Sequence, residues 1–126
     1  MILIDTSAWI AFFRGMEPAA DHIDRCLASN TAAICGPILT ELRRGLRPNE
    51  RERVLSLLEG CMLLSQPSDL WHEAGELGVR IKGKGATLKT IDLLIATYAL
   101  AHGIPLFTLD ADFEHIVKAG MPLVLA

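Results

Sequence analysis

Four of the fifteen acidic residues in this 126-residue chain stand in positions that invite chemistry. Asp5 follows directly on the apolar run Met1-Ile2-Leu3-Ile4, and Asp110 follows Pro105–Leu109 in the same way. Glu41 lies one turn into an amphipathic segment after Ala32–Cys35, and Asp92 opens another at Thr90. Carboxylates gathered in one place raise each other's pKa. Such a cluster is tolerated when a divalent cation supplies the missing positive charge. A set of oxygen donors without His or Cys suits Mg²⁺ or Mn²⁺ rather than zinc. Such a metal activates water and stabilises charge building on a phosphate, and a pair roughly 3.5–4 Å apart clamps both attacking and leaving oxygens.

Each acid also has an ordinary explanation. Asp92 can complement a helix dipole, Asp110 and Asp112 can serve a turn or cap the last helix, and Glu41 can be a solvated helix residue. Asp5 resists this treatment, because a carboxylate directly after a buried strand has no evident structural role.

The elements that must position these groups alternate between short apolar runs and longer amphipathic ones. That is the pattern of an α/β fold with a mostly parallel sheet of about five strands flanked by helices. Strands are expected at Met1–Ile4, Ala32–Cys35, Met62–Leu64, Pro105–Leu109 and Pro122–Leu125. Helices are expected at Ala8–Arg14, Pro18–Ser29, from Pro37 to about Gly45, Glu50–Glu59, from a cap at Ser68 through about Lys82, Ile91–His102 and Asp112–Lys118. Pro37 suits a first helical turn. Thr90 reads as an N-cap and Gly103 as a stop. Ligands of an open parallel sheet lie outside the carboxyl ends of its strands. That rule places Asp5 and Asp110 together if their strands are neighbours.

Length and an apolar content of 51% suit one compact domain over residues 1–126. The net charge of -3 argues against generic binding of nucleic acid through a basic surface. Cys26, Cys35 and Cys61 have no metal spacing and read as small buried hydrophobes. Met1–Ile4 runs into Asp5 without a basic leader, and Leu93–Ala101 is too short to span a bilayer. A cytoplasmic location is the expectation. His22, His72, His102 and His115 are scattered and carry no metal pattern.

The basic residues are uneven. Arg43, Arg44 and Arg47 follow Glu41, and Arg80, Lys82, Lys84 and Lys89 precede Asp92. Phosphate contacts require such groups beside the chemistry; two solvated faces are the ordinary alternative. No aromatic residue interleaves the second stretch, so a base-stacking platform is not indicated there. Trp9, Phe12 and Phe13 form an apolar group for which core packing is the first explanation.

Four motifs in order carry a family resemblance over essentially the whole chain. Ile2-Leu3-Ile4-Asp5-Thr6-Ser7, Pro37-Ile38-Leu39-Thr40-Glu41-Leu42 with Gly45, Thr90-Ile91-Asp92-Leu93-Leu94-Ile95-Ala96, and Phe107-Thr108-Leu109-Asp110-Ala111-Asp112-Phe113 resemble the PIN-domain family. Within it they resemble the VapC-type toxins of toxin–antitoxin pairs. The resemblance implies a five-stranded parallel sheet and Mg²⁺- or Mn²⁺-dependent cleavage of RNA. It implies metal ligation by Asp5, Glu41, Asp92 and an acid of the last motif, Asp110 or Asp112. Thr6, Ser7 and Thr108 match polar positions that bind ligands, waters or phosphate. A VapB-like antitoxin docking beside the site, a homodimer and a toxin–antitoxin hetero-oligomer are further implications.

Two other functions compete. A phosphoryl-transfer enzyme of the haloacid-dehalogenase kind needs a second Asp two residues after Asp5, where Ser7 stands, and a receiver module needs an acidic pair and a late Lys that are not found. A non-catalytic module would use the acids only to bind metal or a partner.

Overall fold

The computed structural model describes residues 1–126. Its first strand, β1 (Ile2–Ile4), leads into α1 (Thr6–Phe13) and α2 (Ala19–Ala28); β2 (Ala32–Ile34) leads into α3 (Gly36–Gly45) and α4 (Arg51–Glu59). Then come β3 (Met62–Leu63), α5 (Leu70–Lys82), α6 (Thr90–His102) and β4 (Leu106–Phe107). A 3₁₀ turn at Ala111–Phe113 and α7 (Glu114–Lys118) complete the order.

The sheet has four parallel strands in the order β3-β2-β1-β4. Leu3 pairs with both Ala33 and Leu106, so β1 is central. Chain order runs outwards from β1 through β2 to β3, then returns to the other side of β1 for β4. The gap between β1 and β4 is therefore the switch point, where open parallel sheets leave a crevice at their carboxyl ends. Ile4 pairs with Phe107, so the next residue after each strand, Asp5 and Thr108, emerge side by side at that crevice.

About five strands were to be expected, and the fifth is reduced. Pro122–Leu125 supplies only a parallel bridge, Leu106 to Leu125, held by Leu106 N to Val124 O at 2.9 Å and Ala126 N to Leu106 O at 2.8 Å. Pro122 has no N–H to donate, and Val124 is 61% exposed, so the segment lacks the burial that sustains a longer edge strand.

The core forms where apolar strands meet the apolar stripes of helices. Leu3, Ile4, Ile38, Ile95 and Leu106 are fully buried around the central strands, with Trp9, Ile23, Phe113 and Ile116 packed beyond them. Ala32 and Ala33 of β2 and Ala96 and Ala99 of α6 add small buried side chains to this core. α6 is apolar nearly all round, as a helix buried on most faces must be. It ends at Gly103, whose φ of 63° is the left-handed conformation that releases the chain towards β4. At its start, Thr90 is the first helical residue rather than the cap: the extended cap residue is Lys89, with no side-chain capping bond. At α5 the cap position expected of Ser68 belongs instead to Asp69, and the helix begins at Leu70. No helix is long and apolar enough to cross a membrane.

Candidate active site

The crevice between β1 and β4 is built around Asp5, which is only 4% exposed. Its backbone N donates to Phe107 O at 2.9 Å, which locks the end of β1 against β4. Its Oδ2 accepts from Ser7 Oγ at 2.8 Å and from Thr108 Oγ1 at 2.7 Å. The same two hydroxyls receive the next backbone donors: Leu109 N reaches Ser7 Oγ at 3.0 Å, and Asp110 N reaches Thr108 Oγ1 at 3.0 Å. One buried carboxylate thereby sets the path of the loop that carries Asp110. Charged acceptors make the stronger hydrogen bonds, so this network is a firm anchor.

Asp110 in turn shapes the turn that leads into α7. Its Oδ1 accepts from Asp112 N at 2.9 Å, capping the 3₁₀ turn. Asp110 is therefore a cap, the ordinary role for an acid at this position, and it also faces the other acids. Single ligand oxygens of Asp92, Asp110 and Asp112 lie within 4.8 Å of one another.

Asp92 comes to this place from α6. It stands in the first turn of that helix, with its side chain 7% exposed. Its Oδ2 is buried and has no hydrogen-bond partner. Its pKa is pushed up to about 6, first by burial, then by the charges of Asp110, Asp5 and Glu41; Lys89 opposes the shift. The charges of Asp5, Glu41 and Asp110 thus all bear on Asp92, although the sequence separates these acids by up to 105 positions, from Asp5 to Asp110; Asp5 and Glu41 stand outside the three acids whose oxygens lie within 4.8 Å of one another.

Glu41 projects from the middle of α3, and Thr6 Oγ1 donates to its Oε1 at 2.6 Å. Below, the thiol of Cys35 is fully buried, and its pKa is pushed up to about 12. Burial is the main cause, opposed by a hydrogen bond with the Ile38 backbone and reinforced by the nearby Asp5 and Glu41 charges. Cys35 is thus an inert, low-polarity floor to the site, a role its apolar neighbours in sequence already suggest.

A buried carboxylate oxygen with no hydrogen-bond partner, under the charges of three more carboxylates, is one that a bound cation would stabilise. Every donor is oxygen, and the cluster opens towards solvent through half-buried Asp110 and exposed Asp112. Those features fit Mg²⁺ or Mn²⁺. Asp92 and Asp110 belong to the four-acid set, and Asp112 joins them.

The basic residues divide. Lys89 is close enough to act on the Asp92 charge. Arg43 lines a separate apolar cavity with Leu39, Leu58 and Leu63 at the β3 edge. Arg80 lines another between α5 and α6, where its Nη1 donates to Met121 Sδ at 3.3 Å. Lys82 and Lys84 are exposed and form no side-chain hydrogen bonds. Arg14, a lone basic residue after an apolar helix, has no signal in the sequence, yet it lines a groove together with Thr6 and Glu41. His102 lies elsewhere, with Nε2 2.8 Å from Ser65 O and its ring stacked on Tyr98.

Comparison with known proteins yields consistent matches. The PIN-domain family model, described as "PIN domain", matches residues 2–119. The chain is 35% identical over 124 residues to the "VapC ribonuclease Mb1587" of Mycobacterium bovis, covering 94% of this chain and 92% of that protein. It is 33% identical over 121 residues to "Ribonuclease VapC21" of Mycobacterium tuberculosis, covering 90% and 84%. Among solved structures, a toxin–antitoxin complex from Klebsiella pneumoniae superposes with a TM-score of 0.79 at 23% identity, covering 100% of this chain and 97% of that one. VapBC-1 from nontypeable Haemophilus influenzae superposes with a TM-score of 0.76 at 22% identity, covering 100% and 97%. At these identities the structural matches speak to the fold.

Proposed function

Because the chain belongs to the PIN-domain family, with VapC ribonucleases among its relatives, we propose that it is a metal-dependent endoribonuclease, the toxin of a toxin–antitoxin pair. The observation that carries the proposal is Asp92: a buried carboxylate oxygen without a partner, held among Asp5, Glu41 and Asp110. Such a group makes sense as a ligand and poorly as a structural element.

In this reading Asp5, Glu41, Asp92 and Asp110 hold Mg²⁺ or Mn²⁺, with Asp112 beside them. A bound ion of this kind supplies positive charge to a phosphate and a water of lowered pKa. The chain's own groups do the orienting. Ser7 and Thr108 fix the Asp5 carboxylate through its Oδ2, and Thr6 fixes Glu41 through its Oε1. Their hydroxyls are engaged in those bonds, so their part in binding substrate is to hold the acids still. Lys89 sits beside the cluster as a cation for substrate phosphate. The substrate is RNA and a VapB-like antitoxin is the expected partner, after the names of the relatives and structural matches; a second copy of the chain is expected from the family resemblance alone.

A single experiment tests this. Purified protein is incubated with total RNA and Mn²⁺, alongside Asp5→Asn and Asp92→Asn. Cleavage by the wild type that both substitutions abolish, with folded variants by circular dichroism, supports the reading. Equal cleavage by either variant identifies a contaminating nuclease and overturns it. No cleavage by any of them favours a non-catalytic binding module.

A further inference from the structure

Beyond the acid cluster, the chain carries a groove of ≈ 330 Å³ between α1 and α3 that shares Thr6 and Glu41 with the proposed active site. Ile10 and Phe13 line it from α1, and it ends in two arginines, Arg14 just past α1 and Arg47 just past α3. Thr6 and Arg14 are eight residues apart along α1, or about 12 Å at 1.5 Å per residue.

Both guanidinium groups are free. The one ion pair in the protein joins Arg25 to Asp21. Two acids share the groove with the arginines, and neither neutralises them: Glu41 is held by Thr6, and Glu50 Oε1 accepts from the Arg47 backbone N at 2.9 Å. The groove is therefore acidic at its head and net cationic at its far end, where Arg14 and Arg47 outnumber Glu50, with an apolar floor between.

That order points to a polyanion whose one phosphate is served at the acids by metal and whose next phosphates lie on arginine. The geometry points to Arg14 and Arg47 as the phosphate-binding end of the RNA track, engaging the strand a few nucleotides from the cleaved bond. This rests on the ribonuclease reading of the acid cluster. About 12 Å spans three to four nucleotides of a stacked strand at 3.4 Å each. Ile10, 39% exposed, and Phe13 supply an apolar surface for sugar and base faces. Arg43 and Arg80 lie in other cavities, whereas Arg47, from the first basic stretch, reaches this groove and Arg14, from outside both stretches, joins it there.

The test is cleavage of a short single-stranded RNA across a range of NaCl concentrations by the wild type, Arg14→Ala/Arg47→Ala and Arg14→Lys/Arg47→Lys. Each phosphate contact on a single strand contributes about 0.7 to the slope of log affinity against log salt, so the alanine pair should flatten that slope by about 1.4. KM should rise about tenfold at low salt, where screening is least. The lysine pair, which keeps both charges, should restore most of the slope. Cleavage with KM and slope unchanged in the alanine pair overturns this inference and leaves the ribonuclease reading standing. No cleavage by the wild type overturns both. Unchanged RNA kinetics with weakened binding of an acidic peptide makes the groove a protein site and also sinks the inference.

Discussion

Thr108 Oγ1 donates to Asp5 Oδ2 at 2.7 Å, across 103 positions of sequence, and the same oxygen receives Asp110 N at 3.0 Å. One hydroxyl thereby fixes the orientation of the most deeply placed acid and the position of the loop carrying another. Groups that orient a metal ligand are commonly worth 10–100-fold in affinity or activity. Thr108→Val keeps the bulk and removes the hydroxyl. It should lower RNA cleavage about 10–100-fold, at a stability cost of about 1 kcal/mol for a partly buried hydrogen bond. Thr108→Ser should recover most of the activity. Steady-state cleavage and thermal melting of the three proteins decide the matter, and wild-type rates in Thr108→Val would remove the hydroxyl from the site's working parts.

Asp92 makes a prediction about stability rather than turnover. Its pKa rises from 3.8 to about 6 on folding. The folded protein then binds more protons than the unfolded chain between those values, so this group's contribution falls as pH rises through that window and stays low above it. A shift of that size corresponds to at most about 3 kcal/mol, reduced by solvent screening at the open edge of the cluster. In EDTA, Asp92→Asn should therefore melt higher than the wild type at pH about 7 and nearly with it at pH about 4. Added Mn²⁺ should raise the wild-type melting temperature and do so far less for the variant, because a metal that binds only the folded state stabilises it. Parallel melting curves for the two proteins across pH, with or without metal, would show that Asp92 is not held against the other acids.

The parallel sheet and the placement of Asp5 were legible because a wholly apolar tetrad followed by an acid leaves few alternatives. The rule that ligands gather at strand carboxyl ends also places Asp110 on the same side of the sheet as Asp5. What the sequence could not convey was register. Pairing of Ile4 with Phe107, which sets Asp5 against Thr108, depends on tertiary contacts. The fifth strand looked as regular as the others because alternation shows propensity but not whether a neighbour will cover the segment. Thr90 looked like a cap for the same reason: Ser and Thr favour that position, and here Lys89 occupies it while packing of α6 fixes the start. Basic residues were the least legible. Arg43, two positions from Glu41, faces a different side of the helix, whereas Arg14, nine positions from Asp5 and farther from the other acids of the site, reaches the groove through the end of α1.

The double role of Asp110 separates it from Asp112. Asp110 Oδ1 caps the 3₁₀ turn through Asp112 N, whereas Asp112 contributes its backbone to that bond. Asp110→Ala should lose cleavage and also about 0.5–2 kcal/mol of stability, the usual cost of a lost cap. Asp110→Asn keeps a capping oxygen, so it should lose cleavage while melting close to the wild type. Asp112→Ala should leave melting nearly unchanged, and its cleavage rate reports how far the second acid contributes. Chemical denaturation of the three variants beside an RNA assay gives both readings, and full activity in Asp110→Asn would pass the fourth ligand position to Asp112.

Glu41, the longest of the acidic side chains in the site, is held by a single hydrogen bond, the 2.6 Å bond from Thr6 Oγ1. Asp5 shares two hydroxyls, and Asp92 is confined by the packing of α6. A long side chain with a single hydrogen bond has rotamers to lose, so that bond determines whether the carboxylate is presented or swings towards solvent. Thr6→Val should therefore raise the Mn²⁺ concentration needed for half-maximal cleavage about tenfold. The maximal rate should fall less, because saturating metal restores the bound geometry. Thr6→Ser should behave as the wild type. Because Thr6 stands at the first position of α1 and is only half-buried, its loss should cost little stability, on the order of 1 kcal/mol. Metal titrations of cleavage in the three proteins measure this directly. An unchanged half-maximal concentration in Thr6→Val would mean that Glu41 is held by the metal alone and that the Thr6 contact is incidental.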